Sequence, residues 1–133
     1  AARYGYGQLP VRASYNQPAY ITGNIGPTST GPHLDVKQVG GRRFSPNALD
    51  NYVMAEDPEL GRVPLGQLPI TGDFDSHTAR GSHGIDYGTY SGTKLFLRNG
   101  ARVVGTRPSQ HGDVVTIQLP NGTQYTFLHG TKG

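Results

Sequence analysis

Residues 113–129 constrain what this chain can fold into more tightly than any other stretch. Asp113-Val114-Val115-Thr116-Ile117-Gln118-Leu119 alternates polar and apolar residues, Asn121-Gly122 follows, and Thr123-Gln124-Tyr125-Thr126-Phe127-Leu128-His129 returns with the same alternation. A period of two gives a strand one apolar face, and Asn-Gly suits a tight antiparallel hairpin because both residues tolerate positive φ. Glycine and proline, at 20 and 10 of 133 residues, are too frequent for long regular elements, and no Gly-X-Y period points to collagen. The expectation is many short strands joined by tight turns.

The remaining segments fit that frame. Pro32-His33-Leu34-Asp35-Val36-Lys37-Gln38-Val39 alternates like a half-buried strand and ends at a Gly40-Gly41 turn. Thr93–Leu97 reads as a strand, Asn99-Gly100 as a tight turn, and Ala101–Val104 as the next strand; Pro69–Phe74 holds a further short one. Ser45–Val53 carries the best helix signal, with Ser45 as cap, Pro46 in the first turn, and Leu49 and Val53 on one face, which predicts a helix of about two turns. Residues 54–69, broken by Pro58, Pro64 and Pro69, read as an irregular surface connection. The length fits one domain, divided into an extended N-terminal segment over 1–19 and a β domain over 20–133. The predicted fold class is all-β: an antiparallel sheet with a groove and one short helix.

Composition excludes several function classes. The chain has no cysteine, hence no disulfide scaffold and no thiolate metal site. No apolar run approaches the ~20 residues that span a bilayer, so no membrane span is expected. The net charge of +3 comes from scattered residues, with Arg42-Arg43 the only adjacent basic pair, and nucleic acid is not the expected partner.

Three short segments concentrate the groups that could bind metal or move protons: His33-Leu34-Asp35, His83-Gly84-Ile85-Asp86, and His129. Residues two apart on a strand share a face, so His33 and Asp35 can look into one groove. Imidazole and carboxylate are ordinary zinc ligands, and three of them plus water make a catalytic site. The plainer alternative is that these are turn-flanking or strand-surface residues without metal. His77 and His111 lie in polar loops and are expected to be solvated, while Asp73 and Asp75 are expected to cap turn amides. Arg80 is a candidate partner for Asp35 or Asp86, since two buried carboxylates without a cation would shift their pKa upward. Tyr4, Tyr6, Tyr15 and Tyr20 suit packing, or stacking on a glycan.

Four of these segments together resemble the lysostaphin-type zinc endopeptidases of bacterial cell walls. Residues 26–37, Gly-Pro-Thr-Ser-Thr-Gly-Pro-His-Leu-Asp-Val-Lys, are similar to that family's Ser-Thr-Gly-x-Pro-His-x-His strand. Arg80-Gly81-Ser82-His83-Gly84-Ile85-Asp86 is similar to its Arg-x-x-His-x-Gly-x-Asp. Gly112–Ile117 with Asn121-Gly122 resembles its hairpins, and Phe127-Leu128-His129 its Tyr-x-His segment. The resemblance spans roughly residues 20–130 and implies a permuted peptidase-like fold, because the Pro-His strand, last in the family, comes first here. Rotation of this kind is tolerable where termini lie close together at the surface.

The resemblance also implies an altered metal site. The family binds zinc through a His, an Asp four residues later, and the second His of His-x-His. Here Ser82 stands at the first position, Asp86 matches the second, and Asp35 replaces the third. His33 and His129 match the two histidines that assist proton transfer or hold the transition state. His83 lies one place late, and a bulge at Gly84 would be needed to turn it toward Asp86. A His83, Asp86, Asp35 site would carry two carboxylates, which weaken the Lewis acidity of zinc and favour harder ions.

The implied cofactor is therefore none, or zinc if the variant site functions. The leading expectation is a non-catalytic, peptidase-like domain that binds cell-wall peptidoglycan or another envelope glycan-peptide. It could equally be a structural module among other subunits of a cell-envelope or phage tail assembly; either way it would be extracellular, in the envelope or in a virion. The alternatives are an active zinc endopeptidase cleaving peptidoglycan cross-bridges, and an unrelated β interaction module.

Overall fold

A computed structural model describes residues 17–25, 31–73 and 84–133. Among them ten strands form one curled antiparallel sheet: β1 Tyr20–Ile21, β2 His33–Gln38, β3 Val53–Asp57, β4 Gly61–Pro64, β5 Ile70–Gly72, β6 Ile85–Gly88, β7 Lys94–Leu97, β8 Arg102–Arg107, β9 Asp113–Gln118 and β10 Gln124–Lys132. The main order is β4-β3-β7-β1-β10-β2-β6-β5, with β9 and β8 branching from β10. The all-β antiparallel architecture expected from the alternation is what forms. No helix among the described residues is long and apolar enough to cross a membrane.

β10 joins the two halves of the sheet. Its first half pairs with β2 on one edge, Tyr125 opposite Gln38 through Leu128 opposite Asp35, and with β9 on the other. Its last residues, Thr131 and Lys132, pair with Ile21 and Tyr20 of β1, which leads on to β7, β3 and β4. The register slips between Phe127 and Gly130, and His129 takes a positive φ of 75°. This is a bulge, which bends a strand and redirects its side chains.

The apolar faces close on each other inside the curl. Leu34 and Val36 of β2, Ile85 and Tyr87 of β6, Val115 and Ile117 of β9, and Tyr125 and Phe127 of β10 meet Val53, Ala55, Leu95 and Leu97 of the other half. Tyr20 sits at the junction, fully buried, its ring 5.6 Å from Phe127. Its hydroxyl donates to the Asp113 carbonyl at 2.6 Å and accepts the Gly130 N–H at 2.7 Å, tying β1, β9 and β10 together. Of the tyrosines expected to pack or to stack on glycan, Tyr20 packs; Tyr4, Tyr6 and Tyr15 lie outside the described residues.

Three local expectations need correction. Residues 54–69 are not an irregular connection: β3 and β4 form a hairpin with Met54 opposite Pro64 and Asp57 opposite Gly61. Its turn is built by Asp57, whose carboxylate accepts the Glu59 and Leu60 N–H groups, a turn chemistry the prolines masked. The stretch after Ser45 is a series of tight turns, with Ala48 bonding back to Ser45 and Asp50 to Asn47, and not a regular α-helix. The carbonyls of Asp50, Asn51 and Tyr52 accept from Arg98 and Asn99 instead of from a following helical turn, and the Asp50 carboxylate accepts the Gly66 N–H at 2.7 Å, anchoring the segment to the 3-10 turn Leu65–Gln67. Finally, the β9–β10 loop is not a two-residue turn: Gly122 bonds back to Leu119, and only Gly122, at φ 91°, is left-handed. That is the three-residue, bulged form of hairpin. Asn99-Gly100 does take the doubly left-handed conformation, at φ 58° and 86°.

The Tyr20 hydroxyl predicts a measurable dependence. Tyr20→Phe leaves the buried Asp113 carbonyl and Gly130 N–H without this partner, and should cost about 2 kcal/mol. Urea unfolding should show the midpoint falling with an unchanged slope. A loss below about 0.5 kcal/mol would mean the junction is held by packing alone.

Candidate functional site

The alternation of β2 puts Leu34 and Val36 in the core and His33, Asp35 and Lys37 on the opposite face. Asp35 lies directly across from Asp86 in the β2–β6 pairing, and directly paired residues share a face. Regular alternation would turn His129 toward the core, because Phe127 faces it. The bulge at Leu128–Gly130 instead re-aims the ring over β2, where its centroid lies 4.5 Å from that of His33. His129 Nε2 is 3.7 Å from Asp35 Oδ2, an ion-pair separation too long for an ordinary hydrogen bond.

Four of the five site residues read from the sequence, His33, Asp35, Asp86 and His129, are thus gathered on one face by three strands. The fifth, His83, lies outside the described residues, as do Ser82, Arg80, His77 and Asp75.

Backbone carbonyls fix both rings. His33 Nδ1 is 2.8 Å from the Gly31 carbonyl and His129 Nδ1 is 2.6 Å from the Ile25 carbonyl. A carbonyl only accepts, so each Nδ1 carries a proton, and His129 Nε2 faces Asp35. In His129 the interaction with the Asp35 carboxylate is the main cause holding the pKa above the ordinary 6.5; burial opposes it, the Ile25 carbonyl supports it, and the Lys37 charge opposes it.

Two contributors were not legible as such. Lys37 Nζ lies 2.6 Å from Asp35 Oδ2, with the Asp35 side chain 8 % exposed and that of Lys37 29 %. The ammonium pairs with a carboxylate two residues back on its own strand, a spacing that could have been read from the alternation. His111 is not the solvated loop residue expected: it is half-buried, its ring stands edge-on 5.8 Å from His129, and its carbonyl accepts the His129 N–H at 2.8 Å. Its loop is clamped by Ser109, whose hydroxyl donates to the Gly112 carbonyl and accepts the His111 N–H. No feature of the sequence signals that this loop folds back on β10.

Close approach shapes the floor. A side chain at Gly84 would place Cβ 2.6 Å from the Val36 carbonyl oxygen, ahead of Lys37 Cγ at 2.9 Å and Asp35 Oδ1 at 3.1 Å, and one at Gly72 would place it 2.8 Å from Asp86 Oδ2. Gly84 is therefore required first by the close approach of the β2 backbone, and Gly72 leaves room for the Asp86 carboxylate. An open polar groove of about 390 Å³, lined by Gln38, Val39, Arg42, Asn121, Thr123 and Gln124, lies at the other end of β2 and β10, away from the histidines.

The described residues do not fit zinc. No group of three His, Cys, Asp or Glu among them is arranged to hold a metal ion, and the Asp35 oxygen nearest His129 is already engaged by an ammonium. What the arrangement offers instead is the His129 imidazole, whose charged form Asp35 favours, and an ammonium, beside two carboxylates. No family model, curated protein or solved structure matches the chain.

The raised pKa of His129 fixes the sign of a pH effect. Its stabilising contribution is complete below the unfolded value of about 6.5 and is lost as pH rises through the higher folded value. Urea stability should therefore decline on going from pH 6 to pH 8.5, and His129→Gln should flatten this decline. An unchanged profile in His129→Gln would show that Asp35 does not hold the imidazolium.

Proposed function

We infer that this domain is a non-catalytic, peptidase-like β module that binds cell-wall peptidoglycan, working in a cell-envelope or phage tail assembly outside the cytoplasm. The observation that carries this reading is the convergence of His33, Asp35, Asp86 and His129 from β2, β6 and β10, with the Lys37 ammonium on Asp35. Convergence favours the peptidase-like plan over a β module whose motif matches are accidental, because nothing in generic strand alternation brings His129 over β2. The ammonium favours a binding role over hydrolysis, because the carboxylate that replaces a zinc-binding histidine is already neutralised. The protonated His129 ring, favoured by Asp35, and an ammonium suit the carbonyl and carboxylate oxygens of wall peptides.

The convergence also favours a second reading, an active zinc endopeptidase with His83, Asp86 and Asp35 as ligands. It differs from the first in requiring turnover, and Asp86→Ala would then abolish hydrolysis.

Co-sedimentation with purified peptidoglycan sacculi tests the choice. The domain should be retained, His33→Ala with His129→Ala should weaken retention about tenfold (~1.4 kcal/mol), and no wall peptide should be released. Absence of retention overturns the binding role. Release of wall peptide that a chelator stops overturns the non-catalytic one.

A further inference from the structure

We propose that the free edge of β8 is a docking site for an extended acidic segment of another protein, which adds to the sheet as a further strand. The inference stands apart from the peptidoglycan reading and concerns a different strand.

β8 pairs only with β9, so its other side carries backbone N–H and C=O groups with no strand beside them among the described residues. The two ends of the main sheet order are poorer templates. β4 spans four residues and ends in Pro64, and β5 spans three. β8 runs six residues without a proline.

The bulge in β8 sets what an added strand must carry. Arg102 and Arg107 are five apart in sequence, an odd spacing that regular alternation would send to opposite faces. The register shift between Val103 and Gly105 makes Val104 an extra residue. Arg102 then lies opposite Gln118 and Arg107 opposite Val114, four residues apart on β9, so both arginines share one face. They stand about 13 Å apart along the strand. Both are exposed, and between them lies Gly105, where a Cβ would meet nothing closer than Thr116 at 3.8 Å. The positions behind them on this face, Thr116, Gln118, Gln124 and Thr126, are uncharged. No carboxylate among the described residues pairs with either guanidinium.

Charge selects the occupant. A second copy pairing antiparallel through β8 in the centred register would set Arg102 of one chain opposite Arg107 of the other, and like charges directly opposed are destabilising. Bulges and charges on an edge deter indiscriminate pairing in the same way. A strand with carboxylates four residues apart instead places one beside each arginine, while its backbone completes the open ladder.

The experiment titrates the intact chain with three labelled peptides of alternating threonine and valine. One carries two glutamates four residues apart, one carries lysines in their place, and one carries the glutamates on N-methylated backbone amides. Binding is read by fluorescence anisotropy and by hydrogen exchange of the β8 amides. The glutamate peptide should bind and slow exchange over Arg102–Arg107, and the other two should not. Arg102→Gln with Arg107→Gln should weaken binding about fivefold at low salt and less at high salt. Arg102→Glu with Arg107→Glu should transfer the preference to the lysine peptide. Both side chains are exposed, so thermal melts of these variants should match the wild type.

Absence of binding by the glutamate peptide overturns the proposal. Equal binding of the glutamate and lysine peptides does so too, as does binding that leaves β8 exchange unchanged. Sedimentation of the chain alone as a dimer with protected β8 amides would give this edge to a second copy, and overturns the acidic partner.

Discussion

The bend in β10 is the constraint on which the rest of this structure depends. One strand has to serve two halves of a curled sheet, pairing with β2 and β9 before the bend and with β1 after it. A flat strand cannot do both, and the bulge at Leu128–Gly130 resolves the conflict by giving up regular pairing over two residues. The Tyr20 hydroxyl satisfies a donor and an acceptor that the irregularity would otherwise leave buried and unmade. The left-handed backbone at His129 is uncommon for a residue with a side chain. It is also what carries the imidazole across to β2. The device that closes the core therefore builds the site as well, and the two cannot be altered independently.

The charge cluster does not owe its presence to stability. A largely buried lysine–carboxylate pair roughly breaks even against apolar residues of the same volume, because both ions lose their hydration. Breaking it by removing one partner is another matter, costing on the order of 3–5 kcal/mol since the surviving charge stays buried. Asp35 and Lys37 are therefore strongly interdependent without being strongly stabilising together. Gly72 makes room for the Asp86 carboxylate, while Gly84 lets the β2 backbone approach closely at the Val36 carbonyl.

How much of this was legible in the sequence follows from which forces are local. The strands around 33–38, 94–97, 113–118 and 124–129 could be read because alternation is dictated by a half-buried sheet. The face shared by His33 and Asp35 follows from the same period. The β3–β4 hairpin was missed because three prolines in 54–69 outweighed an Asp57 turn that is itself a local signal. The expected helix failed for a non-local reason, the claim of Arg98 and Asn99 on the carbonyls of Asp50, Asn51 and Tyr52. His111 was misjudged for a similar cause, since its burial comes from a loop folding onto β10.

His129 shows where periodicity misleads. By alternation it belongs with Tyr125 and Phe127, pointing into the core. By resemblance it belongs beside His33. The strand alternates as far as Phe127 and then bends, which sets the His129 ring beside His33. Breaks of this kind are expected where function competes with regularity, because an ideal ladder would have satisfied the backbone more cheaply. The departure at His129 is thus a stronger pointer to a functional face than the histidine alone, and it ties the chemistry of the site to the topology of the sheet.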